Sequence, residues 1–217
     1  NIDTNIDTNI NTNINTNIIN FTSGTENLSG RNFSDTNSLV LATGREVRQT
    51  LSVDSTTSFG TAKFIDFVVG PSITTDVFEY NSPLVAGNGT LQLGNIDLDI
   101  TVVGALESTS ISSDQNGVID FETSGLFGVD FTGSSTDLSG NIIKAAENLL
   151  EGTVRNGNAN TDALLIFYEG SSEGPTQDAV IIRYQEGAVD ASFDNELSVV
   201  AIFEGISSGS FDTVNIV

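Results

Sequence analysis

β-branched Ile or Thr alternates strictly with polar Asn or Asp through the first eighteen positions, NIDTNIDTNINTNINTNI, with an apolar Ile at every fourth residue. In an extended strand successive side chains point to opposite faces. One face then carries Ile2, Ile6, Ile10, Ile14 and Ile18 with a Thr between each pair, and the other carries only Asn and Asp. A helix would scatter these Ile residues, because a four-residue period drifts from 3.6, and Asn, Asp, Thr and Ile are all weak helix formers. The pattern predicts a long, one-sided β-strand.

Eighteen extended residues reach about 60 Å, whereas a compact body of about 200 residues is only about 40–45 Å across. Such a strand either turns back on itself or leaves its own domain to pair with another chain. No Gly or Pro precedes Gly24, so a tight turn would have to place Asn or Asp in the left-handed region. Strand addition to a neighbour's sheet is the expectation, with the five Ile side chains as the assembly face. An internal edge strand or hairpin is the alternative.

Residues 20–37 are rich in turn formers and read as a linker. Short β-like runs then follow at Ser38–Ala42, Glu46–Val53, Ala62–Val69, Asp76–Tyr80 and Thr90–Val103, separated by Gly, Pro, Asn or Ser. Within the last of these the apolar parity switches near Gly94, as at a bulge or bend. Further runs lie at Val118–Phe121, Leu126–Phe131, Ala163–Tyr168, Ala179–Tyr184, Leu197–Phe203 and Val214–Val217. One segment differs: residues 141–151 place Ile142, Ala145, Ala146, Leu149 and Leu150 at helical spacing, with Ser139 as N-cap and Gly152 beyond the end. The expected fold is all-β, an antiparallel sandwich or jelly-roll-like domain with one short helix. Residues 1–19 form the arm, 20–37 the linker and 38–217 a single domain.

Three apolar runs in the carboxy-terminal third end alike, in FYEG, RYQEG and IFEG, which predicts three strands turning the same way in an antiparallel meander. Together with FIDFVVGPSITTDVFEY and GNIDLDITVVG, this region resembles cyanobacterial extracellular proteins of the haemolysin-like, calcium-associated type. The resemblance covers residues 38–217 and implies secretion, a calcium-containing environment and a role at the cell surface. The glycine-rich calcium nonapeptides of a β-roll do not occur in the chain.

Composition narrows the function classes. With 29 acidic against 7 basic residues the net charge is −22, which disfavours nucleic acid and anionic membranes as partners. The absence of Cys and His removes disulfides, thiolate or imidazole metal sites, and Ser–His–Asp or Cys–His catalysis. No apolar run approaches the length of a membrane helix. Many Gly, Ser, Thr and Asn residues, no sulfur and an Asn at position 1 fit a secreted chain that has lost a leader, or a fragment. Sequons at Asn20, Asn27, Asn32 and Asn88 matter only where the source glycosylates.

The metal candidate is the stretch from Ser112 to Thr123. On an EF-hand template Asp114, Asn116 and Asp120 take ligand positions, while Gly117 takes the sharp turn. Ser112 and Thr123 occupy the first and twelfth positions, where an Asp and a bidentate Glu belong, and the same residues also read as a plain Asp-Gln-Asn-Gly turn. Asp97 and Asp99 share a strand face and are a second, weaker cation candidate. Paired carboxylates could hydrolyse glycosides without His or Cys, but no catalytic signature accompanies them, and no enzyme is expected. Three tyrosines, Tyr80, Tyr168 and Tyr184, give little for sugar stacking. The reading is a secreted structural subunit that polymerises with copies of itself, with Ca²⁺ as the candidate ion. The alternative is an adhesin binding a surface polysaccharide.

Overall fold

The computed structural model describes residues 18–81 (except 23, 35, 43–47, 71 and 73), 91–92, 117–126, 131, 137–150, 154–155, 162–169, 178–185, 193, 195–207, 210–211 and 215–216. Its strands are β1 Ile18–Asn20, β2 Thr25–Asn27, β3 Ser38–Val40, β4 Thr50–Val53, β5 Lys63–Ile65, β6 Val77–Tyr80, β7 Leu91–Gln92, β8 Gly117–Leu126, β9 Val154–Arg155, β10 Asp162–Glu169, β11 Ala179–Gln185 and β12 Leu197–Phe203. A single helix, α1 Leu138–Leu150, stands between β8 and β9.

Odd-numbered strands β1, β3 and β5 lie side by side in one sheet, and even-numbered β2, β4 and β6 in a second, with every pair parallel. The chain therefore winds as a short solenoid. Ile18 stacks on Ser38 and Ser38 on Lys63, while Thr25 stacks on Thr50 and Thr50 on Val77, so each turn takes 20 to 27 residues. A bridge between Asn32 and Ser58 marks the third side, with Phe33 and Phe59 stacked beside it at 5.3 Å. The stretch 20–37 carries β2 and this first turn's third side.

The fourth turn comes from the far end of the chain. β12 joins β5 in parallel, with Phe203 opposite Phe64, and Ile216 bridges Phe78 on the second sheet. Equivalent inward positions form columns: Ile19–Leu39–Phe64–Phe203 on one side and Glu26–Leu51–Phe78–Ile216 on the other. Phe64 and Phe203 stack at 5.2 Å. Between the third and fourth turns the chain adds β11, β10 and β8 to the first sheet, giving seven strands in the order β1-β3-β5-β12-β11-β10-β8.

That sheet is buried on both faces where the added strands run. From β10, Leu164, Ile166 and Tyr168 join the solenoid core, while Ala163, Leu165 and Phe167 join a second core under α1. Double burial explains the unbroken apolar run ALLIFY. The helix lays Ile142, Ala146, Leu149 and Leu150 on that second core. It starts two residues earlier than a Ser139 cap would allow: the Asp137 carbonyl accepts the Asn141 N–H at 3.0 Å, making Asp137 the N-cap. Ser139 Oγ instead lies 3.5 Å from the Gly60 carbonyl oxygen at a solenoid corner.

The expected antiparallel sandwich or jelly roll does not form. Four of the six pairings in the main sheet are parallel, as are both pairings in the second. Only β10–β11 and β11–β12, the FYEG, RYQEG and IFEG strands, run antiparallel there. Alternation along a strand reports which residues face the core and carries no sign of strand direction. The sequence separations from β3 to β4 and from β5 to β6 exceed those of hairpin loops.

Candidate assembly surface

Among the described residues no strand pairs with the outer side of the solenoid's first turn. Phe21 N–H donates to the Val40 carbonyl at 2.8 Å, which fixes the alternation of the parallel ladder. Ile19 and Phe21 direct their backbone groups toward β3, and Ile18 and Asn20 direct theirs to the outer edge. The same holds on the second sheet, where Leu28 N–H donates to the Ser52 carbonyl at 2.8 Å; Thr25 and Asn27 face outward. Ile18, the last Ile of the repeat, is 37% exposed on β1. The repeat thus leads directly into an edge strand. Ile2, Ile6, Ile10 and Ile14 lie outside the described residues.

Glu26 is the one charged side chain in the two inward columns, half-buried above Leu51. Loss of water pushes its carboxyl pKa above the usual value, and the nearby Arg31 guanidinium pulls only partly the other way. Arg31 itself lies over the Phe33 ring, 5.4 Å from its centre.

Polar clasps hold the turns to one another. Asp54 Oδ1 accepts the Thr56 hydroxyl at 2.7 Å, the Thr56 N–H at 2.9 Å, the Thr57 hydroxyl at 3.1 Å and, from the first turn, the Gly30 N–H at 3.2 Å. These bonds, the Thr56 hydroxyl foremost and against a smaller effect of burial, hold the Asp54 carboxyl down at about 2. At another corner Asp76, fully buried, accepts the Gln49 N–H at 3.0 Å and the Val68 N–H at 2.9 Å. Asn215, also fully buried, accepts the Gly70 N–H at 3.0 Å and donates Nδ2 to the Asp76 carbonyl at 2.8 Å. The tail is thereby fastened to the third turn.

The other end of the main sheet is β8, ten residues long and parallel to β10. Among the described residues neither β1 nor β8 has a second strand partner. Of the metal candidates, Asp114 and Asn116 lie outside the described residues, as do Asp97 and Asp99, and Asp120 sits on β8 in register with Ile166. Among the described residues no three acidic side chains cluster as a cation site. Tyr80, Tyr168 and Tyr184 are buried, as is every other described aromatic, so none offers a face to a sugar. Among the described residues no helix is long and apolar enough to cross a membrane. Sequence reasoning overlooked Glu26, because TEN on β2 has no apolar alternation to mark it as a strand. No family model, curated protein or solved structure matches the chain.

Proposed function

We propose that this protein is a secreted structural subunit that assembles with copies of itself into an extracellular filament or surface layer. Each subunit lays the Ile face of its repeat along a sheet edge of a neighbour. The observation that supports the reading is the position of β1: the strand into which the repeat runs is, among the described residues, an end strand of the main sheet. Backbone ladders and burial of Ile2, Ile6, Ile10 and Ile14, each about 1.5–3 kcal/mol when fully covered, supply the attraction. The charge of −22 opposes it, and cations such as Ca²⁺ relieve that repulsion.

The test is light scattering of the full chain and of a chain lacking residues 1–17, which keeps β1, at matched concentration and calcium. Large linear species from the full chain and a folded monomer from the shortened one are expected. Equal mass distributions from the two would overturn the proposal.

A further inference from the structure

We propose that the acceptor for the repeat is the edge of β8 opposite β10, which has no strand partner among the described residues, in a second copy of this chain, so that the sheet of one subunit continues into that of the next. The inference rests on the strand-donation reading and narrows it to one edge. Four strands end the two larger sheets among the described residues: β1, β2, β8 and the four-residue β6, which Ile216 already bridges at Phe78. The first two have three residues each and β8 has ten. A ladder supplies about one hydrogen bond per paired residue, each worth roughly 0.5–1.5 kcal/mol net. Only β8 is long enough to fix the register of a segment the length of the repeat.

Chemistry and symmetry select the same edge. A strand laid on β2 would close the column headed by Glu26 and bury a carboxylate that already resists losing its water. A contact between two β1 edges is self-complementary and closes at two copies, whereas repeat-to-β8 joins opposite edges of one sheet and propagates. The core also supports β8. Its neighbour β10 is buried on both faces from Ala163 to Tyr168, so the sheet ends beside a full core rather than thinning out.

The chain has no Cys, so single substitutions can be cross-linked without background. Asn9→Cys in one batch is mixed, under assembling conditions, with Thr123→Cys, Ser124→Cys or Thr25→Cys in another, and treated with a short bis-maleimide. Thr123 and Ser124 are consecutive on β8, so the orientation of one side chain does not decide the result. Urea unfolding of each variant confirms that it folds like the parent. Cross-linked pairs between Asn9→Cys and either β8 variant, with none to Thr25→Cys, are expected. Cross-linking to Thr25→Cys, or none to β8 while scattering still depends on residues 1–17, would place the acceptor elsewhere and leave strand donation standing. A doubly substituted chain that links Asn9→Cys to β8 only within itself also overturns the inference. If deleting residues 1–17 leaves scattering unchanged, the donation reading fails, and this inference with it.

Discussion

Replacing Glu26 with Leu should stabilise the protein at pH 7, although it deletes a charged partner of Arg31. Glu26 occupies the inward place that Leu51, Phe78 and Ile216 fill in the later turns. A Leu side chain gains about 1.5–3 kcal/mol when fully buried; half-buried at the open end it gains about 1 kcal/mol. Relief of carboxylate desolvation adds to this, reduced by the water that still reaches the turn, and loss of the Arg31 attraction subtracts up to about 1 kcal/mol. The net gain is about 1 kcal/mol, or roughly 2–4 °C in Tm for a chain of this size. The sign with pH is specific. Because the folded pKa lies above the ordinary glutamate value of 4.5, the folded state holds the Glu26 proton more tightly. Stability therefore falls as pH rises from 4.5 through the folded pKa, then levels. Urea midpoints should show the Glu26→Leu advantage at pH 7 shrinking toward pH 4, and Glu26→Gln should remove the same pH dependence without the apolar gain. A lower midpoint for Glu26→Leu at pH 7 would mean that Arg31 outweighs burial and that the column argument is wrong.

Asp54→Asn should cost about 1 kcal/mol at pH 7, where the charged acceptor of four hydrogen bonds is lost. Its folded pKa is depressed, so that stability is present above the unfolded value near 3.8 and disappears as pH falls through about 2; acid titration by circular dichroism should show the parent and Asp54→Asn converging over that window. Gly60→Ala should cost about 1–3 kcal/mol in urea unfolding, because φ is +59° there and the new Cβ would stand 2.9 Å from Ser34 Cα. Asn215→Ala strands the Gly70 N–H and the Asp76 carbonyl in the interior. It should cost about 2–4 kcal/mol in the same assay, and a loss within experimental error would show that the tail does not fasten the fourth turn.

The parts of the fold legible in the sequence are those where burial leaves a local mark. β12 spans Leu197–Phe203, the bounds its apolar run predicts, and α1 follows the spacing of Ile142, Ala146 and Leu149. The parallel winding leaves no such mark. Successive turns share little beyond one inward apolar side chain, as in Ser38-Leu39-Val40 and Lys63-Phe64-Ile65, and their lengths vary with the corners. Superposing those triplets about 25 residues apart was the available signal. The fourth turn was beyond reach, since Phe64 and Phe203 meet only after β10, β11 and α1 have been inserted between them. For the candidate assembly surface, alternation predicts a strand over residues that lie outside those described, while the edge positions of β1 and β8 among the described residues follow from strand order alone.

That strand order also sets what must restrain assembly. Edges in soluble proteins are commonly guarded by charged side chains, Pro, bulges or a covering element; β1 reads Ile-Ile-Asn, while β8 carries Asp120 and Glu122 and a register shift in its pairing with β10. Hydrogen-bonded pairing of β12 with β5 and of Ile216 with Phe78 closes the fourth turn in the middle of the sheet, so the proposed strand addition would fall to the ends, β1 and β8 among the described residues. A longer-range guard is the net charge of −22, which acts over about 30 Å at 0.01 M ionic strength but only about 8 Å at 0.15 M. Scattering should therefore rise steeply between those salt concentrations, and at lower concentrations of CaCl₂ than of NaCl. Assemblies that survive transfer to 0.01 M salt with chelator would show that charge does not guard the edges.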